Sequence, residues 1–432
     1  MNLQLKTKNN PSFRQRFILT ISLLTFVRIG SFIPVPFIDI ETFSTLLKSN
    51  ATSTNAIAGI LNTFSGGGTS SFGILSLGIL PSINASIIIQ LLTTINPGLS
   101  KLQKEEGEYG RRKITDYTRY LTFLCAIIQS IGTTYSFRSL IFNWNLLTAT
   151  QISLSLITGS MVILWFSELI TEKGLGNGSS LLICFNIVSN LPDQIKTLSL
   201  LITKQNIGIN VLLLSIFLFI TIGCVYINEA LVKIPLISAS QLLRKLSKTS
   251  LWNNSNLPLR VNQAGVMPLV FTSSVMVILS SSAKLIYFQL LNLNLFSFLN
   301  SINENYISGF GKILFWSCYG FLIFFFTSFY SLIILDPKDI AEQFRKNSVS
   351  IRGISSGIST QNYLVKTIKR LTLINAIFLV LIISFLNGLE YLLPINNMNL
   401  RGFGLTSQLI LVNVLIDTFR RIQNFLNADE II

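Results

Sequence analysis

The chain has 432 residues, half of them hydrophobic and only 12% charged, with a mean hydropathy of +0.59. So little charge excludes a water-soluble domain of this size and points to a polytopic membrane protein. The formal net charge is +15 and histidine is absent, which removes the commonest acid/base group and metal ligand at neutral pH.

The N-terminal tail MNLQLKTKNNPSFRQRF is polar and basic and runs straight into apolar sequence. No short apolar core with a small-residue cleavage site follows, so a removable signal peptide is not expected. A span needs roughly 20 apolar residues. That template gives ten spans, at about 17–38, 72–96, 118–137, 151–170, 179–192, 207–228, 264–292, 313–335, 371–393 and 404–426, of which the fifth is short. The second is preceded by the glycine-rich run FSGGGTSSFG, and its apolar half carries Pro81, Ser82, Asn84 and Ser86. A lipid-facing helix has little use for those residues. The glycines at 66–68 and the GLGNG of 174–178 lack the Lys-Ser/Thr and strand context of a phosphate loop, so they read as turns and hinges.

Few charged residues fall within the spans; among them are Arg28, Glu168, Glu390 and Asp417. Polarity deeper in the membrane comes from Asn84, Ser86, Gln90, Asn186, Ser273 and Ser274, which individually read as helix-to-helix hydrogen bonding. Their concentration on spans two and seven stands out. Cys125, Cys184, Cys224 and Cys318 all fall inside spans and read as small buried hydrophobes. Paired carboxylates, metal-ligand clusters and activated nucleophiles are missing from the pattern, so no catalytic residue, metal site or cofactor is expected.

With ten spans the termini share a side. That side collects most of the 33 basic residues, including those of the N-terminal tail and of the loops after spans two, six and eight. The positive-inside rule places it in the cytoplasm or its equivalent. Two of its loops, 229–263 and 336–370, are longer than topology requires and offer a positively charged docking surface.

Strung along nearly the whole length are FVRIGSFIPVPFID (26–39), FSGGG (64–68), LGILPSINASIIIQLLT (77–93), KEEGEYGRRKITDYTRY (104–120), ITEKGLGNG (170–178), LPLRVNQAGVMPLVFTSS (257–274), LDPKDIAE (335–342) and RLTLINA (370–376). A resemblance to the SecY family of protein-conducting channels rests on these segments. It implies an all-α polytopic membrane protein, with ten transmembrane helices in two inverted five-helix halves around a central pore. The halves would be 1–192 and 207–432, joined by a hinge loop at 193–206. The constriction ring of the family falls on Ile79, Ile83, Ile187, Val270 and Ile410. Its plug falls at about 60–75, around Phe64, Ser65, Gly66, Gly67 and Gly68. Its lateral gate maps to Ser86, Ile87 and Gln90 on one side and to Ser273, Ser274 and Val277 on the other.

The resemblance further implies a SecE-like subunit, a SecA-like motor ATPase or a ribosome on the basic face, unfolded preproteins as substrates, and lipid at the gate. No direct recognition of nucleic acid is implied. Partner docking would fall on Lys233, Arg244, Lys245, Arg352 and Ser355. Here the sequence departs from the family. Its usual I-R-P-G reads ISSG, so that Ser355 stands in the place of a partner-contacting arginine, and Arg352 three residues earlier is not an equivalent donor. The arginine cluster after span six is thinned to EALVKI.

The function expected is the central channel subunit of a Sec translocase, not an enzyme, driven by a partner. Richness in Asn, Ile, Lys and Phe suggests an AT-rich gene. It favours a plastid-encoded protein of the thylakoid membrane, with termini in the stroma, over one in a bacterial plasma membrane. The rival readings are a secondary transporter with inverted repeats, which calls for ionisable groups near the midplane, and a non-conducting scaffold of the same fold.

Overall fold

The computed structural model describes residues 13–37, 73–104, 106–136, 141–142, 144–201, 207–238, 256–265, 267–276, 304–392 and 405–429. In chain order these form α1 (Phe13–Ser31), α2 (Leu80–Ile95), α3 (Pro97–Lys104), α4 (Gly107–Ser136), α5 (Leu146–Lys173), α6 (Gly178–Leu201) and α7 (Ile207–Glu229). Strands β1 (Leu231–Ser238) and β2 (Asn256–Arg260) follow, then α8 (Met267–Met276). The remainder is α9 (Glu304–Ile334), α10 (Pro337–Lys346), β3 (Val349–Ile351), α11 (Ile358–Leu392) and α12 (Leu405–Asp429). They belong to two compact units, Met1–Ile207 with Asn399–Ile432, and Gly208–Met398.

Within the first unit α2 packs on α4, α4 on α5, α5 on α6 and α1, and α6 on α12. Sequence explains where several of these helices start and stop. Pro81 sits in the first turn of α2, where a missing N–H costs nothing. The end of α2 is closed by Asn96, whose N–H donates to Leu92 O at 2.8 Å and whose Oδ1 accepts from Gly98 N at 3.0 Å. Gly174–Gly178 makes the tight turn expected between spans four and five. Gly176 takes a φ of +97°, Gly178 N donates to Thr171 Oγ1 at 2.8 Å, and a Cβ on Gly178 would strike the Ser167 carbonyl.

Several helices overrun their expected spans; α11, for one, starts at Ile358, within the expected loop 336–370. Helix α4 is 30 residues long, about 45 Å at 1.5 Å per residue, because its first turns carry Arg111, Arg112 and Lys113 outside the apolar stretch. Helix α6 runs past Pro192 to Leu201, into the segment 193–206 that the sequence assigns to a hinge. Proline removes one backbone hydrogen bond without ending such a helix, since neighbouring helices and side chains can satisfy the freed carbonyl.

The second unit corrects the expectation of an all-helical chain. The two long loops combine into a three-stranded sheet of order β2-β1-β3. Leu231 lies opposite Arg260 and Leu236 opposite Ile351, both pairings antiparallel. Pro235 conceals the central strand from sequence reading, because proline lacks a ladder donor. It sits where pairing with β2 ends and pairing with β3 begins, so neither ladder needs its nitrogen. Beneath the sheet Ile234, Leu259, Val261, Ile351, Leu364 and Leu371 form a buried core, which joins both loops to the start of α11.

Helix α9 packs against α11 in the same unit, and Phe271 of α8 lies edge-on to Tyr330 and Phe326 of α9, with ring centroids 5.0 and 6.2 Å away. Among the described residues three helical stretches, Leu146–Lys173, Ser317–Lys346 and Ile358–Phe385, are long and apolar enough to cross a membrane.

Candidate functional site

Irregular backbone leads into α2. The Ile74 N–H donates to Ile33 O at 2.9 Å, and Pro34 bridges Gly73 antiparallel. From there successive turns run up to the helix, with Ser76 N donating to Gly73 O and Gly78 N to Leu75 O, both at 2.9 Å. Gly78 takes a φ of +58°, a left-handed conformation that glycine adopts without strain. The whole segment is covered by protein: Leu75, Ser76, Leu77 and Ile79 are all buried. Val35, Leu77, Ile141, Ile152 and Leu156 form one apolar cluster beside it, with Ile74 and Trp144 packed on its margin.

Ile79, Ile83, Ile87 and Gln90 follow at helical spacing, so they form a single stripe along α2. Ile79, Ile83 and Ile87 are buried; Ser86 and Gln90 are half-buried. Beside them Asn84 is 6% exposed, and its Oδ1 has no hydrogen-bond partner among the described residues. In the same unit Ile187 of α6 and Ile410 of α12 are buried, on two helices that pack together. In the second unit α8 carries Val270, which is 1% exposed, with Ser273 and Ser274 buried near it.

The expected helix-to-helix bonding of the serines is replaced by bonding within each helix. Ser86 Oγ donates to Ile83 O at 2.8 Å, Ser273 Oγ to Val270 O at 2.7 Å and Ser274 Oγ to Phe271 O at 3.0 Å. A short hydroxyl reaches the carbonyl one turn back more readily than a neighbouring helix. The residues of the predicted plug, Phe64 to Gly68, lie outside the described residues, as do Val277, Arg244 and Lys245.

On the loop side, Lys233 is exposed on β1 and Arg352 is exposed just after β3. Ser355 is exposed too. Its Oγ donates to Ser359 Oγ at 3.1 Å and its carbonyl accepts from Thr360 Oγ1 at 2.9 Å. Gly353 and Gly357, at φ +80° and +112°, bracket it in a turn. Next to this face α10 starts from Asp336, whose side chain accepts from Lys338 N at 3.0 Å. In the first unit, Lys113 on the outer turns of α4 lies 4.6 Å from the Tyr109 ring centroid. The hydrogen bond and charge of Tyr109 raise the Lys113 pKa above its ordinary value.

Two constellations escape sequence reading. The first is an amide relay in the second unit. Asn375 Nδ2 of α11 donates to Asn262 Oδ1 at 3.1 Å, Asn262 Nδ2 to Asn228 Oδ1 at 2.6 Å, and Asn228 Nδ2 to Cys224 O at 2.9 Å. All three asparagines are buried. The relay ties α7 and α11 to the strap Val261–Gly265, which leads from β2 to α8. The second is an ion-pair group in the first unit, where Arg119 of α4 grips Glu168 of α5 through Nε and Nη2 at 2.9 and 2.8 Å and also meets Asp116 at 3.1 Å. Only spatial proximity reveals either. Their partners lie 34, 113 and 49 residues apart in the chain. Among the described residues no group of His, Cys, Asp and Glu could hold a metal ion.

The family model of SecY matches residues 73–419. A protein of Vaucheria litorea named "Protein translocase subunit SecY" is 61% identical over 435 residues, covering 100% of this chain and 99% of its own. Proteins of the same name from Guillardia theta and Synechocystis sp. are 42% and 41% identical, covering 99% and 95% of this chain and 98% and 92% of their own lengths. Among solved structures, "The structure of a protein conducting channel" superposes with a TM-score of 0.62 at 15% identity, covering 98% of this chain and 95% of that one. Sec61 in a canine ribosome-channel complex gives 0.58 at 15% identity with the same coverage.

Proposed function

The chain belongs to the SecY family, and from that premise we propose how its residues carry out protein translocation. As a family member it is a membrane-embedded channel subunit of a protein translocase and not an enzyme, with the mostly helical SecY/Sec61 channel fold. The finer reading is ten spans in two inverted halves, 1–192 and 207–432, joined through 193–206 around an hourglass pore. Ile79, Ile83, Ile187, Val270 and Ile410 form its constriction. Branched aliphatic side chains close around an extended chain while leaving little room for water and ions. They offer no hydrogen bond to hold the passing chain, which suits a pore indifferent to sequence.

The observation that carries this reading is the buried, non-helical run from Gly73 to Ile79 at the head of a 16-residue α2. Irregular backbone at membrane depth is tolerated only where protein covers it or a cavity adjoins it. A plug at 60–75 would enter α2 through this run. The lateral gate joins Ser86, Ile87 and Gln90 to Ser273, Ser274 and Val277. Its serines are satisfied within their own helices, so parting the seam leaves no serine hydroxyl unpaired. Hydrophobic segments would leave through it into lipid.

A SecE-like subunit clamps the halves in this account. A SecA-like motor or a ribosome docks on the face bearing Lys233, Arg244, Lys245, Arg352 and Ser355. The relatives from algae and cyanobacteria favour the thylakoid membrane, and the distribution of cations favours both termini in the stroma.

The test is ion flux through the full chain assembled with its SecE-like subunit in liposomes. Deletion of 60–75 and Ile83→Asn each raise resting ion leakage and admit preproteins with weakened signal sequences. Unchanged leakage in both variants overturns the plug and ring assignments.

A further inference from the structure

The approach to α2 is fixed by two glycines, Gly159 of α5 and Gly73 at the edge of the proposed plug segment. Gly159 lies buried in the interior of α5, a place where glycine weakens a helix relative to alanine. A Cβ there would fall on the carbonyl oxygen of Ile74, with the Ile74 carbonyl carbon at 2.9 Å and its Cγ2 at 3.1 Å. Gly73 makes the matching contact one residue earlier. A Cβ on it would strike the carbonyl oxygen of Ser31 at the end of α1, and would stand 3.2 Å from the Ile33 carbonyl. Backbone thus meets helix on two sides of the same dipeptide, Gly73–Ile74. Each contact exists only because a side chain is missing.

We infer that Gly159 and Gly73 are positioning residues for the constriction: they seat the segment Gly73–Gly78 against α5 and α1 and thereby set the position of Ile79 and Ile83. This rests on the reading of those isoleucines as pore-lining. The mechanical link is on the chain itself. Turn bonds run from Gly73 to Ser76 and from Leu75 to Gly78, and Ile79 O then accepts from both Ser82 N and Ile83 N at 3.1 Å. Leu75, Ser76, Leu77 and Ile79 are enclosed by neighbours and cannot absorb a displacement by moving into free space. A methyl on Gly159 pushes the Ile74 carbonyl back by about an ångström to reach ordinary van der Waals distance, and the push travels along the turns to the ring. An aliphatic seal has no directional bonds with which to restore itself after such a shift.

The molecule supplies its own control. Gly132, within α4 of the same unit, would meet nothing within 4 Å on gaining a Cβ. The experiment compares Gly159→Ala, Gly73→Ala, Gly132→Ala and Ile79→Asn in the full chain, assembled with its SecE-like subunit in liposomes. Resting ion flux is normalised to the number of assembled channels, so that a variant that merely folds poorly lowers the yield without raising the normalised flux. The expected result is a several-fold rise for Gly159→Ala, Gly73→Ala and Ile79→Asn, with Gly132→Ala at the parent level.

If Gly159→Ala does not accumulate, Gly73→Ala carries the same expectation from the opposite contact. A rise for Ile79→Asn with parent-level flux in the glycine variants overturns the positioning role and leaves the ring standing. Parent-level flux in all four overturns the ring and the positioning role together. A rise in Gly132→Ala equal to that in Gly159→Ala also overturns it, because the effect would then follow from any added methyl.

Discussion

Asn262 shows how much depends on single side chains in this protein. Its amide accepts from Asn375 and donates to Asn228, so one residue completes two buried hydrogen bonds between separate helices. Replacing it with alanine leaves Asn228 Oδ1 and Asn375 Nδ2 enclosed and without those partners. Each unsatisfied group costs about 1–3 kcal/mol. Asn262→Ala is therefore expected to lower the thermal unfolding midpoint of the detergent-purified chain, measured by loss of helical circular dichroism. A midpoint equal to that of the parent would mean that the relay contributes nothing.

At this scale the sequence was partly legible. Ile79, Ile83, Ile187, Val270 and Ile410 are all buried, but burial is the ordinary fate of an isoleucine, and only the family pattern distinguishes these five. The relay was not legible, because asparagines 34 and 113 positions apart carry no periodic signal of their meeting.

Among the elements, the loops after spans six and eight hold the largest difference between sequence and structure. Charge and length marked both as docking surfaces, but not as strands of one sheet. The pairings of β1 with β2 and with β3 are long-range, and Pro235 interrupts the central strand. The sheet and its apolar core give the turn at Gly353–Gly357 a fixed base, on which Ser355 is exposed.

That arrangement allows a gain-of-contact prediction. Ser355→Arg sacrifices only an exposed hydroxyl bond to Ser359, and supplies a guanidinium where the family resemblance places one. The concentration of a bacterial SecA giving half-maximal translocation should fall several-fold, with the maximal rate little changed. An unaltered half-maximal concentration would separate this turn from motor docking. Some helix boundaries, by contrast, were legible, as at the end of α2 before Asn96 and at the Gly174–Gly178 turn, whereas the start of α5 behind its cap Asn145 was not. They were not legible at Pro192, past which α6 continues to Leu201.

For the molecule as a whole, composition alone established a membrane protein, and the distribution of cations suggested its orientation. Neither could distinguish a channel from a transporter. The membership of the chain in the SecY family does so, supported by the match over residues 73–419 and by relatives aligned from end to end. What remains particular to this chain is the path by which a polypeptide crosses it. We propose that the path runs through the ring, past α2, α6 and α12 of the first unit. Photo-crosslinking of a stalled translocation intermediate tests it most directly, with probes at Ile83, Ile187 and Ile410 and at the exposed Leu154 of α5 as a comparison. A secretory chain arrested in transit is expected to crosslink to the three buried isoleucine positions and not to Leu154. Crosslinks at Leu154 alone would contradict it.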